Sequence, residues 1–304
     1  MQAMIARTAG KTAKRVARAK PAKTAKPVRP TKTATVRKSA ERDQFALAKP
    51  FTKEQIVEVF KLVKGASSVE LKLSVPLTGQ RATIKSIGLD PVEAQPRQAF
   101  FFDTPDLALN RAGVVVRARR IQGGYADTVI KLRPVNPSTM DPDLVRSNAF
   151  KIEVDAMPGG FVCSASFKGV CTGQEVLDVS LGAMPLRKLF SKEQRAFYDA
   201  HAPAGITMDK LVILGPTFLL KAKHQPKAKE FDRPITVEMW LYPDGVRVME
   251  ISTKGNPKEA FQVVADFKAY LARNGIALGA DQSAKTKSSL EFFSARLLEE
   301  GRAP

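Results

Sequence analysis

Between Ala99 and Arg120 the sequence runs AFFFDTPDLALNRAGVVVRARR, and this stretch constrains the fold more than any other. It reads as a strand over Ala99–Phe102, a turn over Asp103-Thr104-Pro105-Asp106, and a helical turn around Leu107–Asn110. Gly113 then opens a second strand, Val114 to Arg120, in which Arg117 and Arg119 share one face of a sheet, about 7 Å apart along it. That strand begins buried and ends basic.

Strands of the same form recur along the chain. Ser67 to Val75 alternates, with Val69, Leu71 and Leu73 opposite Ser68, Glu70, Lys72 and Ser74. Thr128–Arg133 places Lys131 and Arg133 together and is closed by Pro134. Phe150–Asp155 sets Lys151, Glu153 and Asp155 against Ile152 and Val154. Asp209–Leu214 and Thr217–Lys223 read as two further strands, the second ending in Lys221 and Lys223. Ile235–Tyr242 and Val246–Lys254 form a hairpin across Pro243-Asp244-Gly245, with Glu250, Ser252 and Lys254 on one side.

Helices fill the remainder. Thr52-Lys53-Glu54-Gln55 fits a capping box ahead of Ile56, Val59, Phe60 and Val63, and Gly65 ends that helix. Pro185 to Asp199 is amphipathic through Leu186, Leu189, Phe190 and Phe197, and helices over Pro257–Arg273 and Ser283–Glu299 finish the chain. The pattern is an α+β fold with about eight or more strands, mostly antiparallel by their turns. On a flat sheet the charged faces meet solvent; in a closed barrel they converge on the interior, and both arrangements satisfy the alternation. An interior carrying Glu70, Lys72, Arg117, Arg119, Lys131, Arg133, Glu153, Lys221 and Glu250 suits a polyanion with cations. Its Arg and Lys would hold phosphates, and its carboxylates would hold Mg²⁺ or Mn²⁺.

Charge is uneven. Residues 1–44 hold 13 Lys and Arg against Glu41 and Asp43, net +11, whereas the remaining 260 hold 36 against 28, net +8. The first segment has no aromatic residue and no leucine and reads as a disordered polycation, suited to nucleic acid or polyphosphate through counterion release. A plain solvated tail is the alternative, and a transit peptide is disfavoured by the density of Lys and Pro. With 44% hydrophobic residues the chain can bury a full core, and it contains no apolar run of membrane-spanning length. Two cysteines, Cys163 and Cys171, make no disulfide framework, and with no apolar leader the cytoplasm is expected. His201 and His224 stand apart, against a His-based zinc site or triad.

Several pieces resemble the CYTH domains, the triphosphate tunnel metalloenzymes. They are Phe102-Asp103-Thr104-Pro105-Asp106-Leu107, Ala112-Gly113, Arg117-x-Arg119, Thr128 with Lys131-Leu132-Arg133-Pro134, Lys151-x-Glu153-x-Asp155, and Lys192-Glu193-Gln194-Arg195-x-Phe197. They arrive in the family's order over roughly residues 66 to 290, within a domain bounded at 50–300, and the Asp103–Arg119 block is the specific one. The resemblance implies an eight-stranded antiparallel tunnel, a closed barrel, that acts on inorganic tripolyphosphate or an organic triphosphate with Mg²⁺ or Mn²⁺. It implies phosphate ligands at Arg117, Arg119, Lys131, Arg133, Lys221, Lys223 and Lys285. It also implies metal ligands at Glu70, Glu153 and Glu250, with Glu70, Lys72 and Glu153 catalytic.

The sequence departs from the family at two carboxylates. The first strand reads Ser68-x-Glu70-x-Lys72 where the family has Glu-x-Glu-x-Lys, and the closing strand reads Glu250-x-Ser252 where a second acid is common. Fewer carboxylates make the tunnel more cationic and weaken metal affinity. The leading expectation is a metal-dependent triphosphatase. The rival is a polyphosphate- or nucleic-acid-binding protein without turnover. A nucleotidyl cyclase is the third reading, for which the sequence offers no base-recognition site.

Overall fold

The computed structural model describes residues 53–157, 160–227, 231–278 and 285–301. The basic segment 1–44, the Thr52 capping box and Ser283 lie outside them. In chain order the strands are β1 (Ser68–Val75), β2 (Gln95–Asp103), β3 (Val114–Ile121), β4 (Ala126–Leu132), β5 (Phe150–Met157), β6 (Gly160–Cys171), β7 (Val212–His224), β8 (Ile235–Leu241) and β9 (Arg247–Gly255). They close into one barrel in the order β1-β5-β6-β4-β3-β2-β7-β8-β9. Around it lie α1 (Lys53–Lys64), α2 (Gln80–Ile87), α3 (Ala108–Arg111), α4 (Pro142–Arg146), α5 (Gly173–Ser180), α6 (Lys192–His201), α7 (Ala260–Arg273) and α8 (Lys285–Glu299).

The closed tunnel agrees with the sequence, but among the described residues the strands number nine and are not all antiparallel. β1 and β5 run parallel, pairing Ser68 with Glu153 and Glu70 with Asp155. The long excursion through β2–β4 between them allows this, because parallel neighbours need a crossover rather than a hairpin. β6 was not expected: its inward side chains include the small Ser164 and Ser166, so no charged alternation marks it. Conversely, the two strands expected over 209–223 are one. β7 runs through Gly215-Pro216, where its register against β2 shifts between Ala99 and Phe101. A proline is tolerated there because the ladder is already interrupted. The expected helix over Pro185–Asp199 also divides, into a short turn over Leu186–Leu189 and then α6. Ser191 and Gln194 form a capping box that starts α6 afresh.

The outward faces of the strands make the main core. Val69, Leu71, Leu73, Val116, Ile130, Ile152 and Val154 are buried in one cluster with Phe190, Phe197 and Tyr198 near α6 and Phe267 and Leu271 of α7. A second cluster joins Ala99, Phe101, Leu219, Trp240 and Tyr242 to Leu290 of α8, with Phe293 and Leu297 packed against it. These strand residues share the faces of Arg97, Lys221 and Glu238, so α8 packs against an apolar portion of the barrel interior. Among the described residues no helix is long and apolar enough to cross a membrane.

Candidate functional site

The block that constrains the sequence most also sets the geometry of the site. Asp103 is buried, and its Oδ1 accepts from the backbone N–H groups of Thr104 and Leu109 at 2.7 and 2.8 Å. Its Oδ2 accepts from that of Asn110 at 2.9 Å, which fixes α3 to the end of β2. Gly113, at φ +75°, lies so close to the Arg133 carbonyl oxygen that a Cβ would fall 2.4 Å from it. The glycine therefore brings β3 alongside the residue that ends the basic run of β4. A further anchor comes from Gln194 of α6, which accepts from Thr128 Oγ1 at 3.0 Å and donates to the Phe167 carbonyl at 3.2 Å. Gly169 leaves the room for it, since a Cβ there would meet Gln194 Oε1 at 2.5 Å.

Within the barrel is a cavity of about 490 Å³, and every residue that the alternation assigned to an interior lines it. Ten cationic side chains and four carboxylates face it, an excess of six positive charges. The carboxylates keep to one half, where Lys72 and Lys254 accompany them, and most of the strand-borne cations lie on the other. β6, β4 and β3 contribute Lys168, Lys131, Arg133, Arg117 and Arg119, whereas β8, β9, β1 and β5 contribute Glu238, Glu250, Glu70 and Glu153. Lys221 projects from β7, and α8 supplies Lys285 and Lys287. Lys223 shares the face of Lys221 but is exposed and lies outside the cavity lining.

On the cationic half, positive charge is poorly compensated. Arg119 holds Asp127 through two nitrogens at 2.9 and 2.6 Å, but the buried Arg117 Nε has no hydrogen-bond partner among the described residues. Burial and the neighbouring Arg119 push the Arg117 guanidinium down to about 10, still a cation at neutral pH. Lys131 is pushed down to about 8, by burial first and then by Lys72 and Arg133, against the pull of Asp155. Asp155 is 1% exposed and holds Lys72 at 2.7 Å, Arg133 at 3.5 Å and Lys131 at 3.7 Å. Burial alone would raise its pKa, but these three cations hold it below the usual carboxylate range.

The acidic half is self-compensated. Lys254 Nζ lies 2.5 Å from Glu153 Oε1 and 3.4 Å from Glu70 Oε2, bridging the two. Lys285 bridges the other pair, reaching Glu250 closely and Glu238 at 3.8 Å, while Lys221 holds Glu238 at 2.9 Å. Burial opposes ionisation of Glu153, yet Lys254, Lys168 and Lys131 together bring it down to about 2. Likewise Lys221 and Lys285 outweigh burial at Glu238 and hold it low. Its cross-strand neighbour Glu250 is raised, chiefly by burial. Burial also works against the Lys72 ammonium, but Glu70, Asp155 and Glu250 overcome it and keep the charge firmly bound.

No family model and no curated protein matches the sequence. Solved structures do match. One, a candidate adenylyl cyclase from Hippeastrum described as revealing a dominant triphosphatase activity, aligns at TM-score 0.55 and 14% identity, covering 73% of this chain and 95% of that one. A second, a candidate adenylate cyclase from Bacillus halodurans, aligns at TM-score 0.50 and 14% identity over 72% of this chain and 96% of its own. The barrel has the CYTH-type tunnel fold.

In this CYTH-type tunnel, sequence reasoning missed partners rather than walls. Asp155 follows Glu153 by two, and Glu238 precedes Trp240 by two, so the same alternation marks both. Asp127 and Arg97 lie where β4 and β2 extend beyond the expected Thr128–Arg133 and Ala99–Phe102, and Lys168 lies on the unexpected β6. Lys285 enters the cavity from α8 as the resemblance implies, and Tyr242 Oη donates to its carbonyl at 3.1 Å.

Whether these residues fit a divalent cation is a question of donor chemistry. Mg²⁺ takes about six oxygen ligands, of which a protein usually supplies one or two carboxylates free to face the ion, the rest being waters and substrate phosphates. Glu70 and Glu153 already receive Lys254, and the two serines donate to them: Ser252 Oγ to Glu70 at 3.1 Å and Ser68 Oγ to Glu153 at 3.5 Å. Among the described residues no group of three or more His, Cys, Asp or Glu converges as metal ligands. The donor set does not fit the cation that the resemblance implies.

Proposed function

We propose that this chain binds a triphosphate-type anion, inorganic tripolyphosphate or the triphosphate of an organic molecule, inside its tunnel. The observation that carries the reading is the excess of cations over carboxylates on the cavity lining among the described residues, concentrated on β3, β4 and β6, where Asp127 and Asp155 behind the lining offset only part of it. Uncompensated cations in a low-dielectric cavity repel one another, and an anion of matching charge relieves that repulsion. Arg117 supports the reading most directly. Its buried, unpartnered Nε is a hydrogen-bond donor that phosphate oxygens would satisfy, and guanidinium geometry suits two of them at once.

Arg119, Lys131, Arg133 and Lys168 extend the grip along the same wall, and Lys221 and Lys285 face it from the other side. Of these cations, Lys221 and Lys285 are oriented by Glu238 and Glu250. Hydrolysis of the bound anion is the second reading, favoured by the triphosphatase activity described for the Hippeastrum neighbour. Calorimetric titration with tripolyphosphate tests binding, and phosphate release from tripolyphosphate, ATP and thiamine triphosphate tests turnover. Saturable binding without phosphate release identifies a binding protein; release identifies a triphosphatase; neither result leaves the reading standing if no titrated anion binds.

A further inference from the structure

Lys254 occupies an unusual place. It leaves β9 two residues after Ser252, opposite Glu70 on β1, and its ammonium lies between Glu70 and Glu153. These two carboxylates belong to adjacent strands, because Ser68 pairs with Glu153 across the parallel β1–β5 ladder. Each serine at a position where a second acid would strengthen a metal site instead donates to a carboxylate of the neighbouring strand, Ser68 to Glu153 and Ser252 to Glu70. Lys72 lies 3.3 Å from Glu70 and 2.7 Å from Asp155, which Lys131 and Arg133 also hold. Glu70, Glu153 and Asp155 are thus matched by Lys254, Lys72, Lys131 and Arg133, and no net negative charge is left to attract a divalent cation.

We propose that Lys254 is a built-in replacement for the divalent cation, so that this tunnel holds its anion in the metal-free form. One ammonium cross-links the carboxylates as a metal ion otherwise would, and it costs no ion from solution. The arrangement also reverses the expected effect of Mg²⁺ on binding. Free Mg²⁺ complexes tripolyphosphate and lowers its charge, so it competes with the tunnel for the anion rather than completing the site. The second half of the test below rests on the binding reading given above; the first half does not.

The test uses the full chain. Mn²⁺ is first titrated into wild type, Lys254→Glu and Lys254→Gln without any phosphate, with free Mn²⁺ followed by its electron paramagnetic resonance signal. Wild type is expected to leave the signal undiminished up to ~1 mM, the weak end of oxygen-ligand sites. Lys254→Glu is expected to take up roughly one ion per chain below that concentration, with Lys254→Gln binding more weakly but measurably. Uptake by wild type below ~1 mM overturns the proposal, as does identical behaviour of all three proteins. Tripolyphosphate is then titrated into wild type by calorimetry, with EDTA and with excess Mg²⁺. Equal or tighter binding in EDTA supports the proposal, and binding that requires Mg²⁺ overturns it. Absence of binding in both buffers overturns the reading of the tunnel as a phosphate site, while the Mn²⁺ titration still decides the role of Lys254.

Discussion

The two halves of the tunnel both carry charged side chains, but one is compensated and the other keeps an excess of positive charge. On the β8-β9-β1-β5 side every carboxylate lining the cavity has an ammonium within 3.4 Å. On the β6-β4-β3 side Arg117 has no hydrogen-bonded partner at its Nε, and Lys131 and Arg133 share one carboxylate with Lys72 at long range. The lesson is that net charge alone does not mark a binding wall. The acidic half satisfies itself and is a scaffold, whereas the cationic half keeps charge in reserve for a ligand.

The sharpest way to break this comparison is to remove Asp155, the buried carboxylate that ion-pairs with cations of both halves. Asp155→Asn leaves Lys72, Lys131 and Arg133 around a neutral amide, and such loss of one partner of a buried ionic cluster costs about 3–5 kcal/mol. Urea unfolding should show that loss, and a change under ~1 kcal/mol would mean that the cluster is solvated. Next comes Arg117→Met, for which the two readouts should move in opposite directions. Tripolyphosphate affinity should fall by roughly two orders of magnitude or more, as for a truncated buried charge contact. Thermal stability should hold or rise, because a half-buried cation whose Nε is buried without a hydrogen-bond partner is replaced by an apolar side chain. A scaffold arginine would instead lose stability and leave binding intact.

Titration separates the halves again. Lys131, pushed down to about 8, must be an ammonium to hold phosphate. A bound polyanion raises its pKa, so binding takes up a proton near and above pH 8. Affinity should therefore decline as pH rises from 7 to 9.5, by up to about tenfold per pH unit, and Lys131→Arg should flatten the profile. On the acidic half the sign is reversed. Glu153 is held at about 2 against an ordinary 4.5, so its contribution to stability is complete above pH 4.5 and is lost as pH falls through 2. Lys254→Gln should move the midpoint of acid unfolding upward, and an unmoved midpoint would show that the bridge is not felt. The smallest effect belongs to Lys223→Ala. An exposed lysine outside the cavity acts through screened solvent, and affinity should change by less than about twofold.

Much of this architecture is legible in the sequence because a strand's side chains alternate strictly. Glu70, Arg117, Lys131 and Glu250 reach the lumen for the same reason that Val69, Val116, Ile130 and Ile251 reach the outer core. Where that rule lacks contrast, reading fails: β6 carries serines inward, and β7 passes through a proline that looks like a break. Parallel pairing of β1 with β5 has no local signature, since it depends on the whole excursion between them. Bridging by Lys254 and Lys285 is likewise invisible, because alternation gives the face of a side chain and not its partner across the barrel.

Calorimetric titration of tripolyphosphate into wild type and Arg117→Met, both in EDTA, tests the central claim most directly. The account predicts saturable binding of one anion per chain by wild type and its loss in the variant, with the variant as stable as wild type. Equal binding by the two folded proteins would contradict it, and would place the anion somewhere other than the cationic wall of the tunnel.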